Sequence, residues 1–217
     1  MCGSNLFESG AFYRSRAGIE HPDVQLHFIP GAVEGQLDFL PHHAFQLHVG
    51  TLRPSSRGTL RLRSADPSDE PLIDPNFFAE KEDVVDMRNA LRLADELVHT
   101  DSFAPYRGDR LGPAPGLDLE DDDAVDAWIR ASGHSAYHLS CTCAMGSVVD
   151  TEGRVMGTEG LRVVDSSIMP SMTSGNLNAP TIMLAEKCAD AILGVPPLPR
   201  EEDAAWFTHD DWRNEQR

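Results

Sequence analysis

The sequence predicts an α+β fold: an antiparallel, half-buried sheet with helices on it, followed by a strand and a buried helix of the kind that completes an α/β sheet. Three observations carry this. Apolar residues alternate with period two at Val24, Leu26 and Phe28, at Phe45, Leu47 and Val49, and at Leu60 and Leu62. Between 80 and 99 the period changes to that of a helix, with Val84, Met87, Leu91, Ala94 and Val98 on one face. Near the carboxyl end a short apolar run, 161–164, delivers Asp165 and is followed by a loop and a stretch that is apolar nearly all round.

The elements follow in order. The segment RPSSRG, 53–58, has turn composition and links the second strand to the third, and ADPSDEP ends the strand pattern. Acids crowd the first turn of the helix near 80, where the positive end of the helix dipole favours them. RLGPAPG, 110–116, reads as a loop, and Asp118 with the acids after it reads as the capped start of a second helix running to Ile129. The run EDDD is then a helix start and not a metal site. VVDTEGRVMGTEG carries hairpin-like turn signals. In the final helix Pro180 suits the first position, Asn178 can cap it, Gly194 can end it, and Pro196 with Pro197 blocks continuation. Being apolar on all sides, this helix is expected to be buried.

Composition bounds what the protein can do. With 217 residues, 41% apolar and 24% charged, the chain can bury a substantial core. Lys plus Arg number 18 against 35 Asp plus Glu, a net charge of -17 that repels phosphate backbones and anionic lipid. Nucleic acid is excluded as a partner, and a neutral or cationic small molecule is compatible with the field. No apolar run reaches the length of a membrane span, and MCGSNLFESG lacks the regions of a signal peptide. The expected location is the cytoplasm, with room for peripheral association at the inner membrane through a small apolar patch. Four cysteines, Cys2, Cys141, Cys143 and Cys188, are too few and too uneven for a disulfide framework, so reduced thiols are expected.

A strand, an acidic residue, a loop and a helix in that order put a helix amino terminus beside the carboxyl end of a strand. Ligands bind at such places in open α/β sheets, and free N–H groups there suit an anion or a ring oxygen that becomes negative. His138, three residues before Cys141-Thr142-Cys143, is the other chemistry-bearing feature. A histidine beside a CxC is weak as a zinc motif, because zinc sites favour CxxC or HxxxH spacing, and no metal is expected. His42, His43 and His48 read as strand and loop residues, since neighbours along a strand face opposite ways.

YHLSCTCAMG, GLRVVDSSIMP and GNLNAPTIMLAEKCAD resemble, in order, the carboxyl-terminal signature blocks of the glucose/methanol/choline (GMC) oxidoreductases, closest to choline dehydrogenase. The earlier GSNLFESGAFYRS, FQLHVGTLRPSSRGTLRLRSADP and DPNF resemble the same branch, so the likeness runs from about 3 to 197. The family's GxGxxG fingerprint, which lets backbone approach the FAD pyrophosphate, is absent here, as is a βαβ unit to hold it. The resemblance therefore implies the carboxyl-terminal part of such an enzyme. Residues 1–145 would be mainly its substrate-binding domain, 146–197 a hairpin, strand and helix contributing to the FAD-binding domain, and 198–217 a tail.

The same resemblance implies oxidation of a primary, choline-like alcohol to the aldehyde, with FAD as cofactor and the amino-terminal half supplied in the same or a separate chain. His138 matches the catalytic histidine and Asn176 the second member of the active-site pair. Asp165 matches a position beside the flavin ribityl and phosphate region, and Leu177 and Asn178 lie near the pyrimidine edge. Glu8 matches an acid near the trimethylammonium group, where Tyr137 could supply an aromatic face. The alternative is a truncated or split remnant that does not bind FAD alone.

Overall fold

The computed structural model describes residues 6–34, 38–41, 43–202 and 211–215; Cys2, His42 and half of the 198–217 tail, with Trp206, lie outside them. Among the described residues seven strands come first: β1 (Ser9–Tyr13), β2 (Val24–Ile29), β3 (Val33–Glu34), β4 (Asp38–Phe39), β5 (Gln46–Thr51), β6 (Thr59–Arg61) and β7 (Leu72–Asp74). Helices α1 (Lys81–Val98), α2 (Asp122–Ser132) and α3 (Asn178–Leu193) follow, with short 3-10 turns at Ala104–Tyr106 and Ser166–Ile168. All three sheets are antiparallel, in the orders β1-β2-β5, β3-β4 and β6-β7. The α+β class expected from the alternation and the helical period is the one observed.

Contacts divide the chain into two compact units. The first comprises Met1–Ser56, Phe78–His134 and Thr208–Arg217; the second comprises Arg57–Phe77 and Ser135–Phe207.

In the first unit the sheet places Leu26 opposite Val49 and Phe28 opposite Leu47 on the face shared with α1. Val24, Ile29, Val84 and Ala90 are wholly or almost wholly buried. The phenol of Tyr13 ties the sheet to α1 by donating to the carbonyl of Ala90 at 3.0 Å. The turn after β5 is held by the buried carboxylate of Asp83, which accepts the N–H groups of Ser55 and Ser56 at 2.7 Å each and the Ser56 hydroxyl. A buried acid is tolerable when its lone pairs are so occupied. α1 and α2 close over Leu91, Val125 and Ile129, and Arg88 forks onto the carboxylate of Asp126 at 2.7 and 2.8 Å.

α2 begins later than the sequence suggests. Asp121, not Asp118, is its cap and accepts the N–H of Ala124 at 3.1 Å; the Asp118 carboxylate is used in the preceding turn, on the N–H of Glu120. With five acids in the six positions from 118 to 123, spacing alone does not say which one takes the cap.

In the second unit the core is Val149, Ile168 and Cys188. The hairpin-like segment is two tight turns. Asp150 accepts the N–H groups of Glu152 and Arg154 and the Arg154 guanidinium, and Gly153 stands at φ +75 with the carbonyl of Val163 only 2.7 Å from where a Cβ would sit. The expected buried strand at 161–164 is extended but pairs only through the Arg154–Arg162 bridge, and Leu161 is 54% exposed. A run this short becomes a strand only where a neighbouring edge offers a full ladder.

α3 departs from expectation twice. It starts at Asn178, with Leu177 as its cap residue, so Asn178 does not cap it and Pro180 stands in its third position. It is also not buried: only Cys188 is, while Ile182, Met183, Ile192 and Leu193 are 55%, 57%, 56% and 75% exposed. Gly194 ends it as expected, in the left-handed conformation at φ 69, with its N–H on the carbonyl of Asp190.

Candidate active site

Six of the seven site residues singled out above belong to the second unit, where two loops and a helix start present them. The first loop leaves α2 and carries Tyr137 and His138. Tyr137 and Cys141 both take positive φ, 63° and 73°, without being glycine. Two such residues bracketing a histidine are uncommon, and residues held this way concentrate at functional sites. Tyr137 is kept in its turn by donating its N–H to the Ser135 hydroxyl at 2.9 Å, and its ring is 74% exposed. His138 is half-buried. The Cys141 thiol lies 3.1 Å from the Ser140 hydroxyl.

The second loop holds Asp165. Here Cys141, Cys143 and Met145 donate their backbone N–H groups to the carbonyls of Ser166, Ser167 and Ile168 at 3.3, 2.9 and 2.9 Å. The segment that follows His138 is therefore laced to the segment that follows Asp165. That juxtaposition was not visible in the spacing of 27 residues between them. The Asp165 carboxylate, itself exposed, accepts the N–H of Ser167 at 2.8 Å and caps the 3-10 turn.

Asn176, Leu177 and Asn178 form the start of α3. Asn176 and Asn178 are exposed, and Leu177 is 7% exposed and anchors the turn. No side chain caps the helix, so the first-turn amides of Asn178 and Ala179 have no intrahelical acceptor; Pro180 has no amide to offer. Just upstream, the Thr173 hydroxyl oxygen is buried with no hydrogen-bond partner among the described residues. Uncapped amides and an orphaned hydroxyl on one loop suit a ligand rich in carbonyl and imide groups.

Glu8 lies in the other unit. It is exposed, directly before β1 and after Phe7, whose ring meets His27 edge-on at 5.8 Å. Among the described residues no group of three or more His, Cys, Asp or Glu side chains could hold a metal ion. Sequence reasoning missed the left-handed pair at Tyr137 and Cys141 and the orphaned Thr173 hydroxyl. Nothing in residue type announces either one, since both depend on how the loops are threaded.

A GMC oxidoreductase family model matches residues 54–185. The chain belongs to the GMC oxidoreductases. Within that family it is 46% identical over 222 aligned positions to the oxygen-dependent choline dehydrogenase of Photobacterium profundum, covering 99% of this chain and 38% of that protein. It is 50% identical to the mitochondrial choline dehydrogenase of Mus musculus, covering 88% of this chain and 33% of that protein. Among solved structures, pyridoxine 4-oxidase from Mesorbium loti superposes with a TM-score of 0.76 at 28% identity, over 87% of this chain and 38% of that one. A formate oxidase of Aspergillus oryzae studied for FAD modification gives 0.72 at 26% identity, over 80% of this chain and 32% of that one. The chain thus spans between a third and two-fifths of the length of these curated relatives.

Proposed function

We propose that this chain supplies the catalytic half of an FAD-dependent oxidation of a choline-like primary alcohol to its aldehyde. The observation that carries the reading is the stitching of the His138 loop to the Asp165 loop in the unit whose uncapped α3 start fits a flavin. The likeness to choline dehydrogenases along almost the whole chain supports the substrate class.

His138 takes the hydroxyl proton, a task for which an imidazole titrating near neutral pH is suited. Asn176 fixes the substrate oxygen with its amide, which donates and accepts hydrogen bonds without competing for the proton. A flavin bound here would supply the acceptor, at N5, for the hydride that leaves the substrate carbon. Asp165, Leu177 and Asn178 would hold the cofactor, the first near its ribityl and phosphate portion and the others at the pyrimidine edge, where the first-turn amides would favour negative charge. Glu8 receives the trimethylammonium group and Tyr137 offers it an aromatic face.

In this reading residues 1–145 form chiefly the substrate side, 146–197 contribute to the FAD domain and 198–217 are a tail. The absent amino-terminal half, in the same or another chain, covers the exposed apolar residues of α3. The protein acts in the cytoplasm; among the described residues no helix is long and apolar enough to cross a membrane. With that half present, His138→Ala should lower turnover of choline by about 10²- to 10⁴-fold while leaving bound FAD unchanged. Normal turnover in that variant would end the assignment. Glu8→Gln should raise the KM for choline, and an unchanged KM would remove the ammonium role.

A further inference from the structure

The sheet face that turns away from Leu26 and Phe28 carries a histidine pair. His27 on β2 stands directly opposite His48 on β5, with Gly10 of β1 next in the same row. Two positions along β5 from His48, and so on the same face, Gln46 makes three contacts. Its carbonyl oxygen accepts the N–H of Val33 at 2.7 Å, and its amide nitrogen reaches the Val33 carbonyl at 3.4 Å and Nε2 of His48 at 2.7 Å.

These contacts decide a protonation state. Val33 fixes which end of the Gln46 amide is oxygen, so an NH₂ group points at His48 Nε2, and that nitrogen must present a lone pair. His48 is therefore neutral, with its proton on Nδ1. Protonation at Nε2 would set donor against donor, and flipping Gln46 would only move the clash to the Val33 N–H.

We propose that Gln46 and His48 form a charge gate on the substrate side: while His48 is neutral this sheet face tolerates a cationic ligand group, and protonation of His48 turns it away. The proposal rests on the choline-like reading above and adds to it the residues that set its acid limit. The link to the ligand is steric and electrostatic. The ring of Phe7, the residue before Glu8, meets His27, and His27 is the cross-strand partner of His48, so a proton on His48 adds positive charge beside the segment that receives the cation.

The surroundings favour the neutral state. Burial lowers the His48 pKa from its usual value, and His27 on β2 and His134 after α2, both basic, lower it further. The net charge of -17 still attracts cations at long range, so the gate acts locally against a favourable field.

The test uses the FAD-loaded enzyme with its amino-terminal half in place, and the pH dependence of KM for choline and for 3,3-dimethylbutan-1-ol, its uncharged isostere. For choline alone, KM should rise steeply on acidification. Gln46→Glu keeps an acceptor for Val33 and stabilises the imidazolium, so this rise should begin at least one pH unit higher. His48→Asn should abolish it. The isostere should show none of these changes. An acid limit for choline that neither variant moves, or equal changes with the isostere, overturns the gate and leaves the choline reading standing. Failure to bind choline at any pH overturns both. Nitrogen-15 chemical shifts of His48 give a second reading: a protonated Nε2 at neutral pH would contradict the lock.

Discussion

The two compact units satisfy their apolar residues to different degrees. In the first, α1 lies on the sheet with Val84 and Ala90 almost wholly buried, and the acids that go inside with them are saturated, Asp83 by two N–H groups and a hydroxyl. In the second, α3 has the more apolar sequence yet buries only Cys188 and leaves Ile182, Met183, Ile192 and Leu193 largely in solvent. A helix of that composition on a finished surface would be costly and prone to aggregate. The first unit's apolar residues thus pack on one another, whereas α3 keeps most of its large apolar side chains in solvent.

Substitutions in the two units sharpen the contrast. Ile29→Ala should remove about 3 kcal/mol from the urea unfolding free energy of the chain, the cost of a cavity at a fully buried aliphatic side chain. Ile182→Ala, at a side chain already in water, should change it by less than about 0.5 kcal/mol. Equal losses at the two sites would break the comparison. Asp83→Ala should cost about 2 kcal/mol, because the amides of Ser55 and Ser56 are left without an acceptor. Asp121→Ala, which removes the α2 cap, should cost about 1 kcal/mol, and Asp118→Ala distinctly less at the same helix.

The smallest effect is one of pH. His48 has a folded pKa below its unfolded value, so on acidification the unfolded chain takes up the proton first. Its contribution to stability is complete above about pH 6.5 and is lost as pH falls through the lowered folded value. Comparing urea midpoints at pH 7.5 and 5.5 in the parent chain and in His48→Asn should show a smaller acid loss in the variant. Identical losses would mean that His48 stays neutral for no energetic reason.

The first unit was the more legible in sequence because its signals are local. Alternation at Val24–Phe28 and Phe45–Val49 gave strands, and period 3.6 through α1 gave a helix, each within one window. The misreadings came where a local rule had several candidates or needed a distant partner. Any of the acids from Asp118 to Asp123 could cap α2, and 161–164 is strand-like in composition but lacks a full ladder. Apolar composition predicts a buried α3, yet Ile182, Met183, Ile192 and Leu193 are exposed, because composition does not record what lies within reach of a helix. For the candidate site, the family blocks pointed to His138, Asp165 and the 176–178 loop, while the lacing of the first two through 141–145 and 166–168 exists only in the fold. The Gln46–His48 lock was invisible because neither residue type nor spacing records the direction of an amide.

The central claim is that this chain carries the proton-abstracting half of a flavoenzyme completed by another segment. Its most direct test is FAD-dependent oxidation of choline measured for the chain alone, for the chain assembled with an amino-terminal GMC half, and for that assembly bearing His138→Ala. The account predicts turnover only in the assembly and its near-complete loss in the variant. Turnover by the chain alone, or an assembly indifferent to His138→Ala, would contradict it.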